Sequence, residues 1–153
     1  RDYMAQELGL NSSGSYVWVH HHAMPNNGPT NYNNDYTNEQ NIYFNALTGG
    51  GGANGLTTPV KNLPCTYFPN VTMGWDNNPR TAPYGQKGAV MVNNTPANFT
   101  NALNAAKTYA TNNPNWEQLI TINSWNEWGE GSYLEPEQLY GMGYLNAVHS
   151  VFP

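Results

Sequence analysis

Two glutamates, Glu127 and Glu130, lie three positions apart in the segment Trp125–Glu130, where tryptophans stand beside both of them. Cleavage of a glycosidic bond needs two carboxyl groups around that bond, one to donate a proton and one to attack or to activate a nucleophile. Trp125 and Trp128 add flat apolar faces that can stack on sugar rings and desolvate a nearby carboxyl group. The pattern predicts a carbohydrate-cleaving site, although a solvated loop that happens to carry two acids remains the alternative.

The elements that must position this loop follow from the spacing of apolar residues. Three segments rich in β-branched and aromatic residues predict strands, at Ser15–His20, Cys65–Gly74 and Leu119–Asn123. Helical spacing and terminators predict helices that end near Leu10, cover Asn41–Leu47, run from Thr95 to about Asn112, and cover Leu139–Val151. Alternating strands and helices indicate a parallel sheet, in which chemistry collects at the carboxyl ends of the strands.

The predicted fold class is α/β, as the C-terminal portion of a (β/α)8 barrel with parallel strands. Three strands cannot close a barrel of eight, so residues 1–153 are interpreted as a single domain or fragment of a larger one. A preceding N-terminal segment or a partner chain would then supply the remainder of the barrel. A small open α/β domain is the alternative.

A second polar segment, Trp75–Arg80, follows the second predicted strand. Asp76 could bind a sugar hydroxyl, and Arg80 could orient an acidic residue or an anionic substituent, with Trp75 as a further contact. The alternative is a structural loop held by an Asp76–Arg80 pair. Asn126, within the glutamate loop, and Tyr133, just after it, are further candidate substrate contacts. Glu135-Pro136 is interpreted as the N-terminal cap region of the last helix.

Three consecutive histidines, His20, His21 and His22, follow the first predicted strand. Adjacent strand residues alternate between faces, so the three cannot all bind one metal ion. We therefore expect no metal site. The histidines are interpreted either as a sugar contact, made by His20 or His22, or as a surface cluster. Cys65 is the only cysteine, which excludes an internal disulfide and a cysteine-based metal cluster. No cofactor is expected.

Charge and composition narrow the partners. Only 10% of the residues are charged, the net charge is −5, and there are five Lys and Arg residues in total. Without a basic run the chain lacks what nucleic acid binding requires, and no apolar stretch approaches the roughly 20 residues of a membrane span. The expected partner is an oligo- or polysaccharide. The uncharged polar surface predicts an extracellular or secretory location, with the periplasm as the alternative, and glycosylation candidates occur at Asn11, Asn70, Asn93 and Asn98.

The longest motif, Ile122–Gly131 followed by Tyr133-Leu134-Glu135-Pro136, resembles the signature of glycoside hydrolase family 99-like proteins, which include endo-α-mannosidases and WbsX-like proteins. The segment Pro69–Arg80, which includes Gly74–Arg80, resembles a second stretch of the WbsX-like group. The resemblance implies a (β/α)8 barrel in which Glu127 is the base or nucleophile-assisting group and Glu130 the general acid. Gly129 stands where the endo-mannosidases have His, which favours the WbsX-like branch over mannan specificity.

The sequence is therefore compatible with three functions. The leading one is a glycoside hydrolase that cleaves a polysaccharide or glycan by carboxylate acid/base catalysis. The second is a non-catalytic carbohydrate-binding or structural subunit of an extracellular assembly. The third is a glycosyltransferase, which would need a nucleotide-sugar site; the glycine run Gly49–Gly52 is a weak signal for one because no convincing helix follows it.

Overall fold

The computed structural model describes residue 9 and residues 12–14, 33–48, 65–84, 90–114 and 118–153. The predicted strand Ser15–His20, the three histidines, the glycine run Gly49–Gly52 and nearly all of the predicted N-terminal helix lie outside the described residues.

The described elements are short strands and four α-helices. The strands are β1 Ser12–Gly14, β2 Asn33–Asp35, β3 Thr66–Phe68, β4 Asn70–Thr72, β5 Val90–Val92, β6 Thr121–Asn123, β7 Asn126–Glu127 and β8 Ser132–Tyr133. The helices are α1 Tyr36–Thr48, α2 Asn78–Thr81, α3 Pro96–Thr111 and α4 Gly143–Val151. Two 3-10 helices cover Ala82–Tyr84 and Trp128–Glu130.

The strand pairing is mostly parallel. β1 pairs with β3, β2 with β5 and β4 with β6, all parallel, while β7 and β8 are antiparallel. Pro69 alone separates β3 from β4, because proline has no N–H to donate to a ladder; its carbonyl accepts from the Thr121 N–H at 3.0 Å. The predicted strand Cys65–Gly74 is therefore two strands. The α/β class with parallel strands is confirmed, and the barrel stays a prediction.

The register of β4 and β6 brings two distant loops together. Thr72 is paired with Asn123 at the carboxyl ends of these strands, and the Met73 N–H donates to the Asn123 carbonyl at 3.1 Å. Since both strands run in the same direction, the chain leaves them at one edge of the sheet. Trp75–Arg80 and Trp125–Glu130 therefore start side by side.

The core lies where α1, α3 and α4 pack with β4. Phe99 and Leu103 of α3 are fully buried, and the Phe99 ring meets the Tyr144 ring of α4 edge to face with centroids 5.5 Å apart. Other members of this core are Tyr36, Tyr43, Leu47, Val71, Met73, Ala106, Ala147 and Val151. These core residues pack against β4, so the strand that precedes the Trp75–Arg80 loop is held in place.

The last helix begins four residues later than its spacing predicts. Leu139 and Met142 were expected on its buried face but are 76% and 51% exposed. The Glu137 carboxylate accepts from the backbone N–H groups of Leu139 and Tyr140, which holds this stretch in a turn. The prediction that the helix starts at Leu139 is wrong, because this side-chain-to-backbone bonding competes with helix formation.

Thr95 caps α3, as the sequence predicts. Its hydroxyl accepts from the Asn98 N–H at 3.3 Å, and Pro96 follows at the first helical position. We expect Thr95→Ala to lower the free energy of unfolding by about 1 kcal/mol, because an N–H at the helix start loses its acceptor. Thr108→Ala is the matched control, since its hydroxyl bonds within the exposed helix surface. Equal stability of both variants in urea unfolding would contradict the capping role.

Glu39 of α1 should make stability depend on pH. It is 4% exposed, and desolvation, aided by the negative charge of Asp35, raises its pKa from 4.5 to about 7. The folded chain therefore holds a proton that the unfolded chain releases between these values. The contribution of Glu39 to stability is fully present below pH 4.5 and is expected to fall by roughly 1 to 3 kcal/mol as the pH rises through 7. The measurement is the free energy of unfolding of wild type and of Glu39→Gln from pH 4 to 8. If the two free energies depend on pH in the same way, the role of Glu39 is contradicted.

Within the described ranges, no helix is both long and apolar enough to cross a membrane.

Candidate active site

The glutamate loop is a short antiparallel element folded around a 3-10 turn. β7 and β8 pair Asn126 with Tyr133, and the 3-10 helix Trp128–Glu130 connects them. The Leu134 N–H closes the base of the loop, donating to the carbonyls of Ser124 at 3.0 Å and Trp125 at 2.9 Å. Glu127 thus ends a strand and Glu130 ends a helical turn, which gives both side chains a defined backbone.

The neighbouring loop is bound to this element through Asp76. Its N–H donates to the Glu130 carbonyl at 2.7 Å, and its carboxylate accepts from the Asn78 N–H at 2.8 Å at the start of α2. The Ser132 hydroxyl adds a bond of 2.5 Å to the Gly74 carbonyl. Asp76 was predicted to contact substrate; in this structure it holds Glu130 on one side and starts the helix that carries Arg80 on the other.

Arg80 joins the two glutamates. Its Nη2 donates to Oε1 of Glu127 at 2.9 Å, and its Nη1 donates to Oε1 of Glu130. The side chains of Arg80 and Glu127 are 49% and 39% exposed, whereas that of Glu130 is 10% exposed. Both carboxylates therefore converge on one guanidinium group. The alternative of an Asp76–Arg80 pair is not what the described residues show, because the ion pairs of Arg80 are made with the two glutamates.

Two glycines, Gly129 and Gly131, permit this packing. A Cβ on Gly129 would lie 3.2 Å from Nε of Arg80 and 3.3 Å from Oε1 of Glu127. Gly131 has a φ of +62°, and a Cβ there would lie 2.9 Å from the Cβ of Asp76. A side chain at Gly131 would therefore force the two loops apart, and one at Gly129 would displace the Arg80 and Glu127 side chains.

Aromatic side chains flank the carboxylates. Trp125 and Trp128 are 52% and 46% exposed, and Trp128 stacks on Tyr133 with ring centroids 3.8 Å apart at 18°. The Trp128 indole N–H donates to Oε2 of Glu135 at 2.7 Å. Glu135-Pro136 was expected to cap the last helix; that prediction is wrong, because α4 begins at Gly143 and Glu135 fixes the Trp128 ring instead.

Tyr133 borders a small cavity beside the loop. The cavity holds about 110 Å³, and Gly131, Glu137, Leu139 and Tyr140 also line it. Desolvation raises the pKa of the Tyr133 phenol above 10.0, and the negative charges of Glu137 and Asp76 raise it further. The phenol therefore keeps its proton at neutral pH and can donate a hydrogen bond to a ligand hydroxyl.

The remaining candidate residues differ in their exposure to solvent. Asn126 is exposed in β7, beside the glutamates. Trp75 is only 6% exposed, so its ring belongs to the core and not to the exposed aromatic surface. His20 and His22 lie outside the described residues. In the part of the chain that the structure describes, no cluster of three or more His, Cys, Asp or Glu residues could hold a metal ion.

The glycosylation candidates differ in accessibility. Asn70 is 2% exposed and donates to the Thr121 hydroxyl at 3.0 Å, so the folded chain offers no room for a glycan there. Asn93 is exposed and Asn98 is half-buried; glycosylation at these two positions stays a prediction. Asn11 lies outside the described residues.

Comparison with known proteins points to a family. The model of a family described as "Glycosyltransferase WbsX" matches residues 21–148, a range that includes Arg80, Glu127 and Glu130. Two proteins named "Uncharacterized protein WxcX", from two strains of Xanthomonas campestris pv. campestris, are each 35% identical over 84 residues. The aligned segment is 54% of this chain but only 12% of those relatives. No solved structure matches the chain.

Proposed function

We propose, from the premise that this chain belongs to the WbsX family, that it carries the active-site loop of a glycoside hydrolase acting on a polysaccharide or glycan. The family indicates a carbohydrate-active enzyme; the hydrolytic reaction is our proposal. One observation carries it: Glu127 and Glu130 meet at a single guanidinium group beside two exposed tryptophans. A glycosidase needs two carboxyl groups around one bond, and these two lie close enough together to bind the same guanidinium group.

The two carboxyl groups stand in different surroundings, which suits two different roles. Glu130 is nearly buried against the Asp76 loop, while Glu127 is 39% exposed. A glycosidase gives its two carboxyl groups different tasks: one donates a proton to the leaving oxygen, and the other activates a nucleophile or stabilises an oxocarbenium-like transition state. Following the resemblance to the glycoside hydrolase family 99-like proteins, we assign Glu130 as general acid and Glu127 as base or nucleophile-assisting group.

The aromatic groups supply binding. Trp125 and Trp128 present exposed ring faces, and stacking of a sugar on such a face excludes water from the carboxylates. The bond from the Trp128 indole to Glu135 and the contact with Tyr133 hold one ring in place. A ring that is ordered before binding loses less entropy when the sugar arrives.

The family is described as a glycosyltransferase, which makes glycosyl transfer the second candidate reaction. Hydrolysis and glycosyl transfer both pass a sugar from a leaving oxygen to an acceptor, which is water in the first case and a hydroxyl group in the second. A carboxylate pair serves either acceptor. The two proposals therefore share Glu127 and Glu130. They differ in the acceptor and also in the donor, which is a glycan for hydrolysis and a nucleotide sugar for transfer.

The test uses the whole protein that carries this chain. Purified enzyme is incubated with a panel of neutral, amino-sugar-containing and uronate-containing bacterial polysaccharides, and reducing ends are counted; parallel samples receive nucleotide sugars. New reducing ends from a glycan support hydrolysis. Release of nucleotide from a nucleotide sugar, with no new reducing ends, would overturn it in favour of transfer, and binding of glycan without either product would favour a non-catalytic subunit.

We further propose that the chain forms the C-terminal portion of a (β/α)8 barrel and works outside the cytoplasm. The parallel pairs of β1 with β3 and of β4 with β6 support the first point. The low charge content and the Asn-rich composition support an extracellular or secretory location, or a periplasmic one. Cell fractionation with an antibody against the whole protein tests the second point.

A further inference from the structure

Arg80 contributes the only guanidinium group in the described part of the chain, and it contacts the two proposed catalytic carboxylates at once. Its two terminal nitrogens bind Oε1 of Glu127 and Oε1 of Glu130. The partners are 47 and 50 positions away along the chain. The contact therefore joins two loops at their functional groups, which is more than a local link within one loop.

The geometry of a guanidinium group decides what this contact can do. Its donors form a rigid planar fork, so two carboxylates bound to neighbouring nitrogens are fixed in both separation and orientation. A lysine has one compact ammonium group on a flexible stem and cannot impose the same separation. Like charges on Glu127 and Glu130 would otherwise push the two side chains apart.

Backbone elements place Arg80 for this task. The Asp76 carboxylate starts α2 by accepting from the Asn78 N–H, and the Asp76 N–H binds the Glu130 carbonyl. On the opposite side, Gly129 leaves the space that the Arg80 side chain occupies, since a Cβ there would lie 3.2 Å from Nε. Gly129 needs no unusual φ, so its small size and not its backbone freedom is what the site uses.

We propose that Arg80 is a positioning residue that sets the distance and orientation of the Glu127–Glu130 pair, and that Gly129 is the residue that admits it. This inference rests on the proposed function. It assigns the guanidinium to the enzyme's own carboxylates and not to an anionic substituent of the substrate. An error of about 1 Å in the placement of catalytic groups can lower the rate by about 100-fold, which sets the size of the expected effect.

The experiment measures kcat and KM on the polysaccharide from the panel that wild type cleaves. We expect Arg80→Ala to lower kcat by about 100-fold with KM changed less than about threefold. Arg80→Lys should recover part of the loss, to within about 10- to 30-fold of wild type, because it restores charge but not the fork. Gly129→Ala should lower kcat about 5- to 20-fold, since the new Cβ displaces Arg80 and Glu127.

Gly143→Ala is the matched control for crowding. Gly143 also has an ordinary φ and a tight surrounding, with a Cβ predicted 2.8 Å from Cγ of Pro96, but it lies at the start of α4. It should lower Tm and leave kcat unchanged. The Arg80 side chain is half-exposed in the folded chain, so Arg80→Ala should lower Tm by less than Gly143→Ala does.

The outcomes separate this inference from the function it rests on. If Glu127→Gln and Glu130→Gln lose activity while Arg80→Ala keeps wild-type kcat, the positioning role is wrong and the hydrolase stands. If Arg80→Ala raises KM only for uronate-containing substrates with kcat unchanged, Arg80 binds the substrate and the proposal is again overturned. If the two glutamate variants keep full activity, the proposed function itself fails.

Discussion

Replacement of Glu127 or Glu130 by Gln should lower kcat by about 10²- to 10⁴-fold, the usual contribution of a positioned acid or base. Glutamine keeps the shape of the side chain and can still accept a hydrogen bond from Arg80, so the loop should stay folded. What it loses is the negative charge and the proton that glycoside cleavage requires. The measurement is reducing-end release from the cleaved polysaccharide under saturating substrate.

A change of leaving group separates the two roles. The dinitrophenolate group of a dinitrophenyl glycoside of the same sugar departs without needing a proton. An enzyme that lacks only its general acid should therefore still cleave this compound. We expect Glu130→Gln to recover most of its activity on this compound and Glu127→Gln to remain impaired. Recovery in Glu127→Gln alone would reverse the assignment of acid and base.

Asp35→Asn is the control for removal of one negative charge. Asp35 ends β2 and accepts from the Asn93 amide and the Asn38 N–H, and among the described residues it makes no hydrogen bond to the glutamate loop. The Asp35→Asn variant should cleave the polysaccharide at the wild-type rate. An equal loss in Asp35→Asn and Glu130→Gln would mean that the rate follows overall charge, which would contradict a specific role for the pair.

Gly131→Ala should be the most damaging small substitution in the loop. Two costs add at this position: a φ of +62°, which costs an L-residue about 1 to 2 kcal/mol, and a Cβ 2.9 Å from that of Asp76, where overpacking costs about 1 to 3 kcal/mol more. The clash also pushes apart the Asp76 N–H and the Glu130 carbonyl. Activity should therefore fall together with stability.

Gly141→Ala isolates the second cost. Gly141 has a φ of +53°, but nothing lies within 4 Å of a Cβ built there. Urea unfolding should show Gly141→Ala destabilised by the backbone cost alone and Gly131→Ala by about 1 to 3 kcal/mol more. Only Gly131→Ala should also lose kcat. Equal stability and equal activity of the two variants would show that the contact between the loops is not tight.

Local features of this site could be predicted from the sequence. Only Ser124 lies between β6 and the glutamate loop, so an apolar run that ends at Asn123 already places Trp125–Glu130 at a strand end. The start of α3 was predicted from Thr95-Pro96, because a cap acts on residues only three positions away. The short helix at Asn41–Leu47 was also found, although α1 begins earlier, at Tyr36.

Features that depend on which loops become neighbours could not be predicted. Arg80 binds Glu127 and Glu130 because β4 pairs with β6 in parallel and brings their loops together. From the sequence alone, Asp76 was the nearer candidate for an ion pair with Arg80. The burial of Trp75 depends on the direction of its side chain after β4, which composition does not reveal. The spacing of Leu139 and Met142 imitates a helix face, but the Glu137 turn overrides it.

The central claim is that Glu127 and Glu130 flank one glycosidic bond. The most direct measurement is a crystal structure of the Glu130→Gln variant of the whole protein with an uncleaved oligosaccharide of the polysaccharide it hydrolyses. The expected result is a glycosidic oxygen about 2.6 to 3.2 Å from the residue 130 amide, with a sugar ring stacked on Trp125 or Trp128 and its anomeric carbon facing Glu127. An oligosaccharide bound with both glutamates turned away from its linkages would contradict the claim.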